Sequence, residues 1–347
     1  MPKERKESMP NKTRKQHYVQ DALITNWEKN GSVGVAKKID NAYLKKERSK
    51  SPSSIFFEEY GYEVLHGFDS MKKHAENDFS TSFDPEHPLK INDGERYCKY
   101  IEDAGLPIIR KIINSTENMI EISCEEKSSL CRYLILQSIR TPQGRKNYLP
   151  EYPNVRISPL SSDKETFSQF IGNIMYLMIL GVYDENGVSN DIDMSTSVFK
   201  RFCSLFEDMN GYVVRIKEGS KDQFIVGDNP CIIIGEKTVW GVMMPLSPKN
   251  MLILVGEKPE RRNGFAVVKC SKRLKLFELC SQFYASNEKI VFSEKYCSIN
   301  RINRDIYNGR RFIGAKQPIW QLYKDSGNED NIEPFEKLLK DFNHLFY

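Results

Sequence analysis

From residue 211 to residue 256 five apolar runs follow one another at short intervals: "GYVVRIK" (211–217), "QFIVGD" (223–228), "CIIIG" (231–235), "VWGVMMPLS" (239–247) and "NMLILVG" (250–256). Each is too short for a stable helix, carries β-branched residues, and is bounded by Gly, Pro, Asp, Asn or Ser. Such a series buries its apolar side chains by pairing edge to edge, so it demands an antiparallel or mixed sheet. A sheet in turn needs a cover. "SKRLKLFELCSQFYASNEK" (271–289) and "CSINRINRDIYNGRRF" (297–312) follow with helical spacing and are expected to pack on it.

Upstream the pattern is helical. "IFFEEYGYEVL" (55–65) and "DGERYCKYIEDAGLPIIRKIINS" (93–115) lead to "SCEEKSSLCRYLILQSIRTPQGR" (123–145). There Leu130, Tyr133, Leu134, Leu136 and Ile139 recur at helical intervals until Thr141-Pro142 stops the helix. "DKETFSQFIGNIMYLMILG" (163–181) and "STSVFKRFCSLFEDM" (195–209) make a second helical pair with capping side chains at their starts. An early strand is expected at "VGVAKK" (33–38) after the turn "KNGS" (29–32), and a surface loop at "KKERSKSPSS" (45–54). The expected fold class is α+β: a helical amino-terminal half packed against an antiparallel or mixed β-sheet lobe with carboxy-terminal helices. The expected organisation is a disordered basic tail over 1–15 and a mainly helical lobe over 16–210 containing an early β segment. A β-rich lobe with packed helices over 211–320 follows, then a linker and terminal amphipathic helix over 321–347.

With 347 residues, 39% hydrophobic and 28% charged, the chain carries enough apolar surface for a large core and is not globally disordered. Its longest apolar stretch, "FIGNIMYLMILGVY" (170–183), is too short to cross a bilayer, and residues 1–15 hold no apolar run of the secretory kind. Eight cysteines (98, 124, 131, 203, 231, 270, 280, 297) are scattered with no Cys-x-x-Cys pair, which fits reduced thiols better than a disulfide framework or a zinc site. A cytoplasmic protein without a membrane partner is therefore expected. Charge is uneven. Residues 1–50 hold thirteen Lys or Arg against six Asp or Glu, so the rest of the chain is three negative within a net charge of +4. A basic segment of that kind either contacts phosphates or is a solvated tail.

Four short sequences pair a chemistry-bearing side chain with a turn. In "QHYV" (16–19), His17 is placed to move a proton near neutral pH or to bond a backbone carbonyl, and Tyr18 to donate to an anion or to pack in the core. In "LQSIRTPQGR" (136–145), Arg140 and Arg145 bracket a proline turn, with the planar fork that suits phosphate or carboxylate and equally suits an ion pair between lobes. In "FIVGDNPCI" (224–232), Asp228 and Asn229 stand at the end of a strand, where a carboxylate orients a histidine, accepts a proton, or caps its own turn. In "MPLSPKNMLI" (244–253), Ser247 sits between two prolines as a turn former or substrate contact, without the glycines of a nucleophile elbow. No Walker motif, Rossmann fingerprint or His-Glu-x-x-His is present, which argues against a nucleotide motor, a dehydrogenase and a zinc peptidase.

Taken together, these four stretches resemble an uncharacterised, mainly bacterial family, domain of unknown function 4238, in the family's order and over roughly residues 16–293. The resemblance implies a mixed α/β protein of unknown activity, with some members encoded near mobile elements and phage-defence genes. This chain departs from the pattern at Gln20, where the family commonly has proline, and at Gly227, where serine commonly precedes the aspartate. The family's late asparagine falls at Ser281, Asn300 or Asn303.

The expected function is a hydrolase or transferase acting on a phosphate-containing substrate (RNA, DNA or a nucleotide), in the setting of a phage-defence or toxin effector. His17 and Asp228 are its catalytic candidates, and Tyr18, Arg140, Arg145, Asn229 and Ser247 its substrate contacts. On this reading His17→Ala and Asp228→Ala abolish activity and leave the melting temperature nearly unchanged. The alternative is a non-catalytic sensor that binds a nucleotide, a phage component or a partner protein, with the carboxy-terminal helix as docking face. The cofactor is unknown: a divalent cation at Asp228 lacks a second carboxylate or histidine at ligand spacing. The oligomeric state is open.

Overall fold

The computed structural model describes residues 15–39, 43–59, 93–142, 206–236, 239–255 and 264–314. The expected tail up to residue 14, the helices at 163–181 and 195–205, and the terminal helix lie outside the described residues. So does Arg145.

The architecture is α+β. A six-stranded sheet runs in the order β5 (Met119–Ile120), β11 (Phe265–Lys269), β6 (Asn210–Arg215), β10 (Asn250–Val255), β9 (Val239–Pro245) and β8 (Ile232–Glu236). It is mixed: β11 pairs parallel with β6, and the other neighbours are antiparallel. Both faces are buried, which is why its strands read as continuous apolar runs. Val213, Val242, Met244, Leu252 and Leu254 point into one core, and Tyr212, Val214, Met243, Met251 and Ile253 into the other, the period-two alternation of extended chain.

The short helix α1 (Asp21–Ile24) adds Leu23 and Ile24 to the first core, and helix α2 (Asp93–Asn114) covers the first face together with α3 (Cys124–Ile139). On α2 the buried side chains Ile101, Ile108, Ile109 and Ile112 form one stripe. Ser123 starts α3 with a capping box: its hydroxyl accepts from the Glu126 amide while the Glu126 carboxylate accepts from the Ser123 amide. Helix α4 (Lys272–Ala285) lies between sheets. Leu274 and Phe277 join the second face of the six-stranded sheet, and Leu276, Leu279, Cys280 and Phe283 join a third core with Ala36, Leu44, Ile290 and Phe292.

That third core backs a four-stranded antiparallel sheet in the order β3 (Leu44–Lys46), β2 (Gly34–Lys38), β12 (Lys289–Phe292), β7 (Val226–Gly227), and α5 (Ile299–Gly314) covers it as well. The expectation of one sheet thus gives way to two, because "FIVGD" leaves its sequence neighbours to pair with β12. Side chains close both edges of this sheet. At β7, the amides of Ile225, just before the strand, and of Gly227 donate to Glu278 Oε1 (3.2 Å) and Gln282 Oε1 (3.0 Å), two residues one helical turn apart on α4. On β3, the Asn303 side-chain amide accepts from the Leu44 N–H (2.9 Å) and donates to its carbonyl (2.8 Å). Each device satisfies backbone groups that an open edge leaves exposed.

Three local expectations are corrected. Phe57–Glu59, inside the stretch read as helical, is strand β4, paired with β1 (Lys15–His17) in a two-stranded ladder. Lys45 and Lys46, read as loop, belong to β3. The helix read to 289 ends at Ala285, and Lys289 begins β12, because the amides of residues 287–289 are bound elsewhere in the fold.

Glu278 is fully buried, and its Oε2 has no hydrogen-bond partner. Burial holds its carboxyl well above the ordinary value of 4.5, against the smaller pull of the Ile225 amide and Lys275. Because the folded pKa is the higher one, the stability it contributes is complete below the unfolded value and is lost as pH rises through the folded value. Glu278→Gln keeps an acceptor for Ile225 and cannot ionise. Urea-unfolding midpoints measured from pH 5 to 9 are expected to fall less with pH in this variant than in the wild type; parallel profiles contradict the assignment.

Candidate functional site

The amino-terminal segment enters the fold as β1 and is then caught by one carbonyl. Phe56 O accepts from both the Tyr18 N–H (2.9 Å) and the Val19 N–H (3.4 Å). To present it, Phe56 adopts the left-handed conformation (φ 56°), a strained state for a bulky residue that persists where surrounding packing enforces it. Its ring is buried and lies 6.0 Å from that of Tyr18. The Gln20 Oε1 accepts from the buried Tyr133 hydroxyl at 3.1 Å.

His17 is half-buried. Its Nε2 lies 3.2 Å from the Ser53 carbonyl oxygen, and its ring meets Phe57 edge-on at 5.9 Å. A carbonyl only accepts, so the contact makes Nε2 the protonated nitrogen and leaves the lone pair on Nδ1. Burial lowers the imidazole pKa below its ordinary value; Asp21 and the Ser53 carbonyl pull it up, and Arg140 and Lys15 push it further down. The neutral ring is therefore favoured at pH 7.

Arg140 caps the carboxyl end of α3 and is 1% exposed. Its Nε donates to the Tyr18 carbonyl at 2.8 Å, and Nη1 is ion-paired with Glu102 of α2. With the Gln137 amide turned to face the guanidinium, its oxygen accepts from Nη2 at 2.9 Å. Burial raises the Glu102 carboxyl, and Arg140 draws it back toward the charged form. One guanidinium thus ties α2, α3 and the amino-terminal segment together, and its fork is engaged by protein groups.

The next residue carries the chain of contacts onward. Thr141 Oγ1 donates to Asn229 Oδ1 (3.2 Å), and Asn229 Nδ2 reaches the Ala285 carbonyl (3.4 Å). Asp228, 4% exposed, accepts from the amides of Asn287 (2.7 Å), Glu288 (2.7 Å) and Lys289 (2.8 Å). Burial raises its pKa, and the three amides favour the carboxylate in opposition. The carboxylate expected to orient His17 is instead the clasp that turns the chain from α4 into β12, so removing it without cost to folding is no longer expected. Gly227 fits tightly beside it: an added Cβ would stand 1.8 Å from Ser286 Oγ, so the Ser286 hydroxyl fills the space a side chain there would need.

Ser247 is a turn former. Its hydroxyl oxygen accepts from the Lys249 amide (3.2 Å), the Asn250 amide (3.1 Å) and Asn250 Nδ2 (3.0 Å). The amino-terminal segment reaches this turn too, through Asn26 Nδ2 and the Leu246 carbonyl (2.9 Å). Three of the four short sequences therefore meet in a seam of hydrogen bonds and chain neighbours from Tyr18 through Arg140 and Thr141 to Asn229, with His17 and Asp228 next in the chain to its two ends, while the fourth touches the amino-terminal segment at Asn26, outside that seam.

Sequence reasoning missed Glu102, Asp21 and Gln137. Glu102 was open to detection: it stands four residues after Cys98 and seven before Ile109, on the buried stripe of α2, where a charge needs a partner. Among the described residues no three His, Cys, Asp or Glu side chains gather as a metal site, and no helix is long and apolar enough to cross a membrane. The described cysteines are free thiols.

No curated protein and no solved structure matches the chain. The model of the family described as protein of unknown function (DUF4238) matches residues 15–306, a span that begins at β1, contains every residue of the seam and ends within α5. This chain belongs to the DUF4238 family.

Proposed function

We propose that the chain is a hydrolase or transferase acting on a phosphate-containing substrate, RNA, DNA or a nucleotide, with His17 as the group that gives or takes the proton. The observation that carries the reading is the imidazole itself. It is held neutral by burial, its tautomer is fixed by the Ser53 carbonyl, and it stands within the electrostatic reach of both Asp21 and Arg140. A neutral imidazole can accept a proton, and the negative charge of the Asp21 carboxylate nearby favours the imidazolium that results. Arg140 and Asp228 serve this chemistry indirectly, by holding the segments in place. Work as a nuclease in phage defence, or as a toxin effector in a bacterial cell, is the setting we assign to it, on the family resemblance.

A second reading, a non-catalytic sensor or interaction protein, is favoured by one observation: Arg140, Asp228 and Ser247 are all engaged within the fold. Incubating purified protein with labelled RNA, DNA and nucleotides, with and without magnesium, separates the two. Product is expected; binding with every substrate left intact overturns the enzymatic reading.

A further inference from the structure

Across the four-stranded sheet, Lys45 of β3 stands opposite Lys37 of β2, and Lys37 stands opposite Lys289 of β12. Directly opposed residues share a face, so the three ammonium groups form one row. Adjacent strands lie about 4.8 Å apart, which makes the row about 10 Å long. Among the described residues Glu288 is ion-paired with it, at 2.8 Å from Lys37 and 3.6 Å from Lys289, and Glu47 also acts on Lys37 at longer range. Lys45 is exposed and makes no ion pair among the described residues.

Like charges set directly opposite one another destabilise a sheet. Lysines guard an open edge against pairing, which accounts for Lys45 on β3. It does not account for Lys37 and Lys289, which lie on inner strands with a neighbour on each side. Three cations in register at the exposed end of a face whose next pair, Val35 and Val291, is buried in the core match a short linear series of anions, and phosphates succeed one another every 3.4 Å or so of rise along one nucleic-acid strand. An aromatic side chain flanks the row: Tyr43, two positions before Lys45, is 48% exposed. Exposed aromatics beside a basic track are what single strands stack on. At its inner end the row meets the seam, because Lys289 donates its amide to Asp228, the neighbour of Asn229.

We infer that the Lys45–Lys37–Lys289 row binds the phosphate backbone of a single nucleic-acid strand, with Tyr43 stacking on a base. This deepens the phosphate-ester reading and rests on it for the class of ligand. The test is fluorescence anisotropy of a labelled single-stranded oligonucleotide, RNA and DNA in separate arms, titrated at several salt concentrations, with a nucleoside triphosphate as competitor. Changing Lys37, Lys45 and Lys289 together to Gln is expected to weaken binding about tenfold or more. It should also reduce the slope of log affinity against log salt by about 2, at roughly 0.7 per phosphate. Tyr43→Ala should weaken binding about fivefold or more and leave the salt slope unchanged. A control triple, Lys217, Lys221 and Lys272 to Gln, removes the same charge from exposed positions elsewhere. Equal loss in the control, no loss in the row variant, no binding to oligonucleotide, or equally tight binding of the triphosphate each overturns the inference. An oligonucleotide bound through the row but never cleaved refutes the enzymatic proposal and leaves the row standing. A nucleotide converted by a protein that binds no strand does the reverse.

Discussion

Asp228→Ala is expected to lower the free energy of unfolding by about 3–5 kcal/mol, read as a fall in the urea midpoint. Three amide donors, at 2.7, 2.7 and 2.8 Å, converge on this carboxylate in a site where water does not replace it. Each hydrogen bond to a charged group is worth roughly 1.5–3 kcal/mol, and the donors left behind are desolvated and unpaired. The damage should spread to β12, since Lys289 opens that strand and its partners β2 and β7 depend on its register. Asp228→Asn keeps one acceptor oxygen and should recover part of the loss. An Asp228→Ala protein as stable as the wild type removes the clasp from the account.

Arg140→Ala is expected to cost about as much, roughly 3–5 kcal/mol, for a different reason. The truncation strands Glu102 in a buried position without its cation and frees the Tyr18 carbonyl and the Gln137 amide at once. Because the cost lies largely in the abandoned carboxylate, Glu102→Gln in the same chain should restore about 1–2 kcal/mol of it. Arg140→Lys should behave much more like alanine than like arginine, since a point charge cannot serve three acceptors arranged around a planar fork. Urea melts of the four proteins in a double-mutant cycle give the coupling directly; additive losses mean that Arg140 and Glu102 do not hold one another.

Much of the fold was legible because its signals are local. Strands buried on both faces announce themselves as apolar runs, and α2 and α3 carry their stripe and their Ser123 cap in the sequence. The errors fall where a distant partner decides. Ser286 and Asn287 are only weak local signals that the helix ends; Asp228, almost sixty positions upstream, fixes the exit by taking the amides of 287–289. Phe57–Glu59 becomes strand because β1 lies alongside, and "FIVGD" changes sheet because β12 is more than sixty residues further on. The site shows the same division. His17, Arg140 and Asp228 were recognisable as residues with chemistry to spend, yet whether each holds the fold or faces a ligand depends on partners such as Glu102 and the 287–289 amides, whose proximity only the tertiary structure supplies.

A single pair of readings on His17→Ala tests whether the seam holds the fold while His17 carries the proposed proton transfer. Unfolding in urea and turnover of the substrate found among labelled RNA, DNA and nucleotides are measured on the same preparation. Expected are an unfolding free energy within about 0.5 kcal/mol of wild type, as for a partly exposed residue whose side chain makes none of the seam's hydrogen bonds, and a rate lower by about 100-fold or more. A variant that folds normally and turns over at the wild-type rate contradicts the proposed transfer.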